Sequence, residues 1–261
     1  MVDSRTIAQF GDELYAAFAQ RKPIPPLTDR SPEMSVGDAY LIQQRMLSHR
    51  LDKGEKVVGK KIGITSQAVM NMLNVHQPDF GYLLDGMIYN DGASIPMNTL
   101  IAPRAEGEIA FILSRDIQGP GITEADVMAA TDCVMPCFEI VDSRIRDWKI
   151  KIQDTVADNA SSGVFVLGDR VVDPRDIHLA LCGMVLEKNG EVVATGAGAA
   201  ALGSPAASVA WLANALGELG VPLRAGEVIL SGALASMMPA SAGDCFRVSI
   251  GNIGSCTVRF C

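Results

Sequence analysis

The stretch Lys56-Val57-Val58-Gly59-Lys60-Lys61-Ile62-Gly63 is where this chain changes character. Before it the pattern is helical. Ile7, Phe10, Leu14 and Phe18 recur on one helical face, with Asp3 or Ser4 as the cap. Lys22-Pro23-Ile24-Pro25-Pro26 breaks that helix, and Ser35-x-x-Asp38 opens a second one through Tyr40, Gln43 and Leu47, which stops near Gly54. From Lys56 onward the texture becomes short β-like runs separated by Gly, Pro and Asn. These runs are expected at 57–62, 108–113, 133–141, 163–167, 184–187, 191–195, 228–231, 246–250 and 256–260. Asn189-Gly190 between two of them is a type I′ hairpin signal. Helices interrupt the pattern at Thr123-x-x-Asp126 and from Ser204-Pro205 to Gly220. Helices first and mixed β afterwards favour an α+β fold over a doubly wound sheet. The boundary falls between a helical region, 1–55, and a mixed-β domain, 56–261, in which any catalytic residues are expected.

Of the 261 residues, 48% are hydrophobic and 20% charged, enough apolar material for a sizeable core. The formal charge of −8 argues against non-specific binding to nucleic acid or to an anionic membrane. It also means that an anionic substrate needs a local positive centre. The beginning of the chain lacks the cationic head and apolar run of a signal peptide, and no apolar stretch approaches the roughly 20 residues of a membrane span. Six scattered cysteines include one close pair, Cys133 and Cys137, without the partners of a zinc set, so free thiols in a cytoplasmic setting are expected. The Gly-rich 195–203 stretch has neither the Lys-Ser/Thr of a P-loop nor G-x-G-x-x-G spacing.

The strongest local chemistry lies in Ala105-Glu106-Gly107-Glu108-Ile109-Ala110-Phe111. In a strand, residues i and i+2 share a face, so Glu106 and Glu108 present paired carboxylates. Such a pair is either a solvated outer face or a site that holds a cation. Glu139 sits inside the apolar run Cys137-Phe138-Glu139-Ile140-Val141, where an isolated carboxylate is costly unless paired, protonated or metal-bound. Three Glu oxygens without His or Cys favour Mg²⁺ or Mn²⁺ over zinc. Of Lys60 and Lys61, adjacent in a strand, one faces inward, and a desolvated lysine suits acid/base work. His76-Gln77-Pro78-Asp79-Phe80-Gly81-Tyr82 has the texture of a turn, with Asp79 either forming it or doing chemistry.

Taken in order, Lys61-Ile-Gly-Ile-Thr-Ser66, Gln77-Pro-Asp-Phe-Gly81, Glu106-Gly-Glu108, Glu139-Ile-Val-Asp-Ser-Arg144 and Ala157-Asp-Asn-Ala-Ser161 resemble the 2-oxopent-4-enoate hydratases, also called 2-hydroxypenta-2,4-dienoate hydratases, across essentially the whole chain. These act in meta-cleavage degradation of aromatic compounds and belong to the fumarylacetoacetate hydrolase-like superfamily. The resemblance implies a mixed β-roll and a Mg²⁺ or Mn²⁺ site at Glu106, Glu108 and Glu139. It implies Lys61 and Asp79 as acid/base groups, and Lys60, Asn159 and Ser161 as substrate contacts. It further implies a homo-oligomer, for which helix one and the 254–261 run offer surfaces, and association with 4-oxalocrotonate decarboxylase.

The expected reaction adds water to 2-hydroxypenta-2,4-dienoate, giving 4-hydroxy-2-oxopentanoate. Two neighbouring activities compete. The 4-oxalocrotonate decarboxylases share the metal carboxylates but usually carry an apolar residue at the position of Asp79. The 2-oxohept-4-ene-1,7-dioate hydratases keep the Asp, but their substrate needs a cation at the far end of the pocket, for which Arg144 or Lys151 are candidates. Hydrolysis of an acylpyruvate would need a His–carboxylate dyad, and no His is well placed. A non-catalytic binding subunit would be expected to have lost some of these groups.

Overall fold

In a computed structural model describing residues 2–261, helices α1 (Ser4–Gln20), α2 (Leu27–Arg30) and α3 (Val36–Leu51) precede β1 (Val57–Gly63), α4 (Gln67–Leu73), β2 (Asp79–Leu84), β3 (Ile88–Asn90) and β4 (Ser94–Ile95). There follow β5 (Arg104–Leu113), α5 (Glu124–Ala130), β6 (Thr131–Val141), α6 (Ile152–Ala157), β7 (Ser162–Leu167), β8 (Gly183–Lys188) and β9 (Glu191–Ala197). The chain ends with α7 (Pro205–Glu218), β10 (Val228–Leu230), β11 (Met238–Pro239), β12 (Cys245–Ile250) and β13 (Gly254–Phe260). The local signals act as expected. Asp3 caps α1, complete capping boxes open α3 and α5, and Asn189 and Gly190 both take positive φ between β8 and β9. The 76–82 segment departs from its turn-like texture. Asp79 is the first residue of β2, since it pairs with Gly63 and the following residues to Leu84 pair antiparallel with β1.

The larger sheet runs β2-β1-β10-β5-β6-β7-β3, with β11 added to β5. Because β2 passes into β3 through the turn 85–87, the two ends of this sheet meet and it closes into a roll. Leu83, Met87, Ala110, Met135, Cys137, Phe165 and Leu230 fill its interior. Alternate residues of the same strands, including Ile62, Ile109, Phe111, Phe138 and Val166, face outward. There they pack against α7 and a second sheet of order β4-β13-β12-β8-β9. The apolar 198–218 stretch is long enough to cross a membrane by composition, but Val209, Leu212, Ala213 and Leu216 are spent in this core. The C-terminal run is also internal: Cys256, Val258 and Phe260 of β13 are buried, so it offers no free apolar face. The apolar stripe of α1 is likewise consumed, with Phe10 and Leu14 packed under α3.

The helical region is fastened to the roll by buried polar bonds. Gln43 of α3 donates to the carbonyls of Phe80 (3.0 Å) and Val156 (2.9 Å), tying β2 to α6. Asp154 accepts from the amides of Leu27 (2.7 Å) and Thr28 (3.1 Å) and from the Thr28 hydroxyl (2.7 Å). Removing the Asp154 carboxylate strands three buried donors, so Asp154→Ala should cost about 3 kcal/mol. Urea unfolding checks this, and a loss below about 1 kcal/mol would show that the junction is not held there.

Candidate active site

Register decides which side chains meet. Glu106 lies directly across from Glu139 in the β5–β6 pair, and Glu108 across from Cys137, so all three glutamates face the interior of the roll at one mouth. One oxygen from each lies within 4.8 Å of the others. Glu108 and Glu139 are wholly buried, whereas Glu106 is half-buried, so the site opens toward the start of β5. On β1, Lys61 shares this face and projects into the cluster, its Nζ 3.2 Å from Glu139 Oε1. It also donates to the carbonyl of Ala160 at 3.0 Å. Asp79 sits opposite Gly63 at the β1–β2 edge, 2% exposed.

Glycines make these approaches possible. A Cβ on Gly63 would fall 2.2 Å from Asp79 Oδ1 and 3.2 Å from Lys61 Nζ. Gly232, at φ +103, presses against Thr65 and donates its amide to Glu108 Oε2 at 2.8 Å.

The electrostatics follow from crowding. Burial and Glu139 push the Glu106 carboxyl up from 4.5 to about 7. Burial and the neighbouring glutamates raise Glu108 still more, and burial raises Glu139 and Asp79 against the pull of Lys61. Burial pulls the pKa of the Lys61 ammonium down, but Glu139, Asp79, Glu106 and Glu108 outweigh burial, raise the pKa above its ordinary 10.5 and hold the group charged. Glu108 Oε1, Glu139 Oε2 and Asp79 Oδ1 accept no hydrogen bond, and Glu139 Oε1 faces the Lys61 ammonium at 3.2 Å. Glu106, Glu108 and Glu139 each bring an oxygen within 4.8 Å of the others, and buried oxygens of two of them lack hydrogen bonds, so the three residues fit the donor set of a hard divalent cation.

Other expected contacts go elsewhere. Lys60, one residue from Lys61, necessarily points to the opposite face of the sheet. There its Nζ is 2.6 Å from both oxygens of Glu227, away from the glutamate cluster. The Asn159 amide is spent on the backbone of Tyr82, accepting from its N–H at 2.8 Å and donating to its C=O at 2.9 Å. The Ser161 hydroxyl is 2.7 Å from that of Thr155. What the 159–161 loop presents to the site is therefore the Ala160 carbonyl, a backbone group no side-chain motif reveals. The Ser162 hydroxyl, beside Glu139, and the Gly232 amide also escaped the sequence reading. Arg144, a candidate for a distal carboxylate, is buried and locked to Asp158.

Two expectations follow. Gly63→Ala should displace the Asp79 carboxylate and lower turnover on the order of 10²-fold, while the melting temperature changes little; unchanged kinetics would contradict the geometry. A carboxyl whose folded value is raised stabilises the fold while protonated. For Glu106 that contribution is complete below 4.5 and is lost as pH rises through about 7. Metal-free protein should therefore melt progressively lower across this window, and Mg²⁺ should restore the loss at its upper end. Differential scanning fluorimetry with EDTA or Mg²⁺ checks both, and a Mg²⁺-insensitive melt at the upper end would count against the site.

Residues 61–261 match the family model described as fumarylacetoacetate (FAA) hydrolase C-terminal. The chain is 64% identical to a 2-hydroxypent-2,4-dienoate hydratase of Pseudomonas putida, over 84% of this chain and 100% of that protein. It is 56% identical to a 2-hydroxyhexa-2,4-dienoate hydratase of Comamonas testosteroni, over 100% of this chain and 99% of the relative. Among solved structures it is similar to 4-oxalocrotonate decarboxylase from Pseudomonas putida G7, complexed with magnesium and adipate. The TM-score is 0.96 at 37% identity, covering 100% of this chain and 99% of that one. By sequence, fold and the placement of its carboxylates, the chain belongs to the fumarylacetoacetate hydrolase family, in the branch of the 2-keto-4-pentenoate hydratases.

Proposed function

We propose that this protein is a hydro-lyase that converts 2-hydroxypenta-2,4-dienoate to 4-hydroxy-2-oxopentanoate in meta-cleavage degradation of aromatic compounds, with Mg²⁺ or Mn²⁺ held by Glu106, Glu108 and Glu139. The observation that carries the choice of hydration is Asp79, a buried carboxylate with a free oxygen beside the Lys61 ammonium and at the same mouth as the glutamates. Decarboxylation needs no acid/base group there. Water addition does.

The bound ion supplies Lewis acidity that polarises the 2-oxo group of the substrate. The protein's own groups move the protons. Lys61, kept charged by four carboxylates, donates to C5 as the dienol becomes the ketone, and the 2-hydroxyl proton passes back to the lysine and restores the ammonium. Asp79, whose carboxyl burial makes more basic than usual, takes a proton from the water whose oxygen bonds to C4. Asp79 returns that proton to C3, which regenerates the carboxylate, and the net change is addition of one water. The Ala160 carbonyl orients the Lys61 ammonium during these transfers.

Arg144 is committed to Asp158, and Lys151 is exposed at the start of α6, so neither candidate for a second substrate carboxylate stands in the pocket. That favours a monocarboxylate over a 1,7-dioate. Self-association and association with 4-oxalocrotonate decarboxylase go with this reading, as does a cytoplasmic setting, in keeping with six free cysteines.

Loss of 2-hydroxypenta-2,4-dienoate absorbance in the presence of Mg²⁺ and not with EDTA is the expected result. Consumption of 4-oxalocrotonate with CO₂ release instead would transfer the protein to the decarboxylases. Asp79→Asn should lower kcat by about 10²- to 10⁴-fold while Mg²⁺ affinity by calorimetry stays within a few-fold. Full hydration rate in that variant would remove Asp79 from the reaction.

A further inference from the structure

The charge balance of the site is incomplete. Glu106, Glu108, Glu139 and Asp79 against Lys61 leave three formal negative charges, and a divalent ion still leaves one. A 2-hydroxydienoate monoanion entering that mouth would meet repulsion unless a further cation faces it. Besides Lys61, the cation that acts on Glu106 is Arg104. Arg104 opens β5 two residues before Glu106, on the same face and about 7 Å along the strand. It is half-buried, at the open end of the carboxylate row.

Arg104 has no acidic partner of its own: none of the ion pairs among the described residues includes it. Its guanidinium is aimed instead by neutral groups. It lies over the Trp148 indole, 4.4 Å from the ring centroid, and 3.9 Å from Met237 Sδ. Trp148 is itself pinned. Its Nε1 donates to the Ala102 carbonyl at 2.9 Å, and Asp147 and Trp148 both adopt left-handed backbone, φ 59 and 55. Two consecutive non-glycine residues in that region are costly, and such strain collects at ligand clamps. A guanidinium with its flat face covered, no carboxylate of its own and one weak contact from Nη1 to a thioether keeps N–H donors for a planar anion.

We propose that Arg104 is a substrate-binding residue that takes the C1 carboxylate of the anionic 2-hydroxydienoate at the mouth of the roll, with Trp148 as the positioning residue that aims it. The assignment rests on the substrate class proposed above and names how its charged head is recognised.

The test uses the full chain loaded with Mg²⁺, with the dienoate as substrate and pyruvate as a minimal 2-oxo-acid probe titrated by calorimetry. Arg104→Met should raise KM for the dienoate and weaken pyruvate about ten- to hundred-fold, with kcat changed only a few-fold and Mg²⁺ affinity preserved. Trp148→Leu should raise KM by a smaller factor, and Trp148→Phe, which keeps a ring face, should recover most of it. If Arg104→Met does not fold, Arg104→Lys keeps the charge without the fork and should show an intermediate rise. Unchanged KM and pyruvate affinity would overturn the assignment. So would a loss traced wholly to weaker Mg²⁺ binding, which would make Arg104 a screen for Glu106. Weakened binding of adipate with pyruvate unaffected would overturn it in favour of a distal-carboxylate role. Wild-type protein without hydratase activity would remove the functional reading, and the pyruvate titration would still decide Arg104 by itself.

Discussion

Glu106 and Glu139 stand directly opposite each other on neighbouring strands, with Glu108 two residues away and one lysine to offset them. Like charges in that register destabilise a sheet, and burial raises the cost. The surrounding structure is built to hold the arrangement against that cost. The roll keeps β5 and β6 paired from residue 104 to 113, far beyond the site, so the strands cannot slip to relieve the repulsion without turning every core side chain to the wrong face. Pairing of β10 between β1 and β5 then fixes how far Lys61 stands from the glutamates. A divalent cation among them would turn the same repulsion into attraction, so on the proposed reading metal binding and folding are thermodynamically linked through these three side chains.

Support for the lysine comes from a loop that is strained by itself. Asn159, Ala160 and Ser161 take three successive left-handed conformations, φ 54, 51 and 52, each costing on the order of 1–3 kcal/mol for a residue with a Cβ. Buried Arg144 holds them there. It pairs with Asp158 and donates to the backbone carbonyls of Asp142, Asp158 and Ser162, while Asn159 borrows both hydrogen-bonding groups of Tyr82. The Ala160 carbonyl that reaches Lys61 is the product of this bracing. Through Gln43 on Phe80 and Asp154 on Leu27 and Thr28, the N-terminal helices buttress the same loop and the strand that carries Asp79. The helical region is thus mechanically part of the site, although it supplies none of the reacting groups.

Legibility divides along the same physical line. Features governed by local rules could be read from the residues. The caps at Asp3, Ser35 and Thr123, the Asn189-Gly190 turn and the shared face of Glu106 and Glu108 all depend on neighbours within a few positions. Glu139 was conspicuous because it is charged inside an apolar run, but its position opposite Glu106 depends on a register set by the whole β5–β6 pair. Asp79 hid in a turn-like segment, just after Pro78, whose strand character exists only because β1 pairs with it. Asn159 and Ser161 belong to a legible motif, yet their side chains serve the backbone, since the tertiary bracing consumes them. Arg104 gave no signal: an arginine after Pro103 is unremarkable until Trp148, 44 residues later, is brought beneath it.

The close structural likeness to a decarboxylase, at a TM-score that leaves little room for backbone differences, shows how little of the chemistry resides in the fold. Metal-binding carboxylates at the mouth of a roll suit any reaction that builds negative charge on a 2-oxo acid, whether the next event is loss of CO₂ or gain of water. What separates the two is whether a proton-accepting group stands beside the nascent electrophile. On the proposed reading that group is Asp79, which fits there because Gly63 leaves the space and Lys61 offsets the charge. An apolar residue at the same place would leave Lys61 facing three carboxylates rather than four, and would leave the water without a base. On that reading the choice of reaction is coupled to the electrostatics of the lysine, and a change at position 79 would alter both the proposed proton acceptor and the proposed donor.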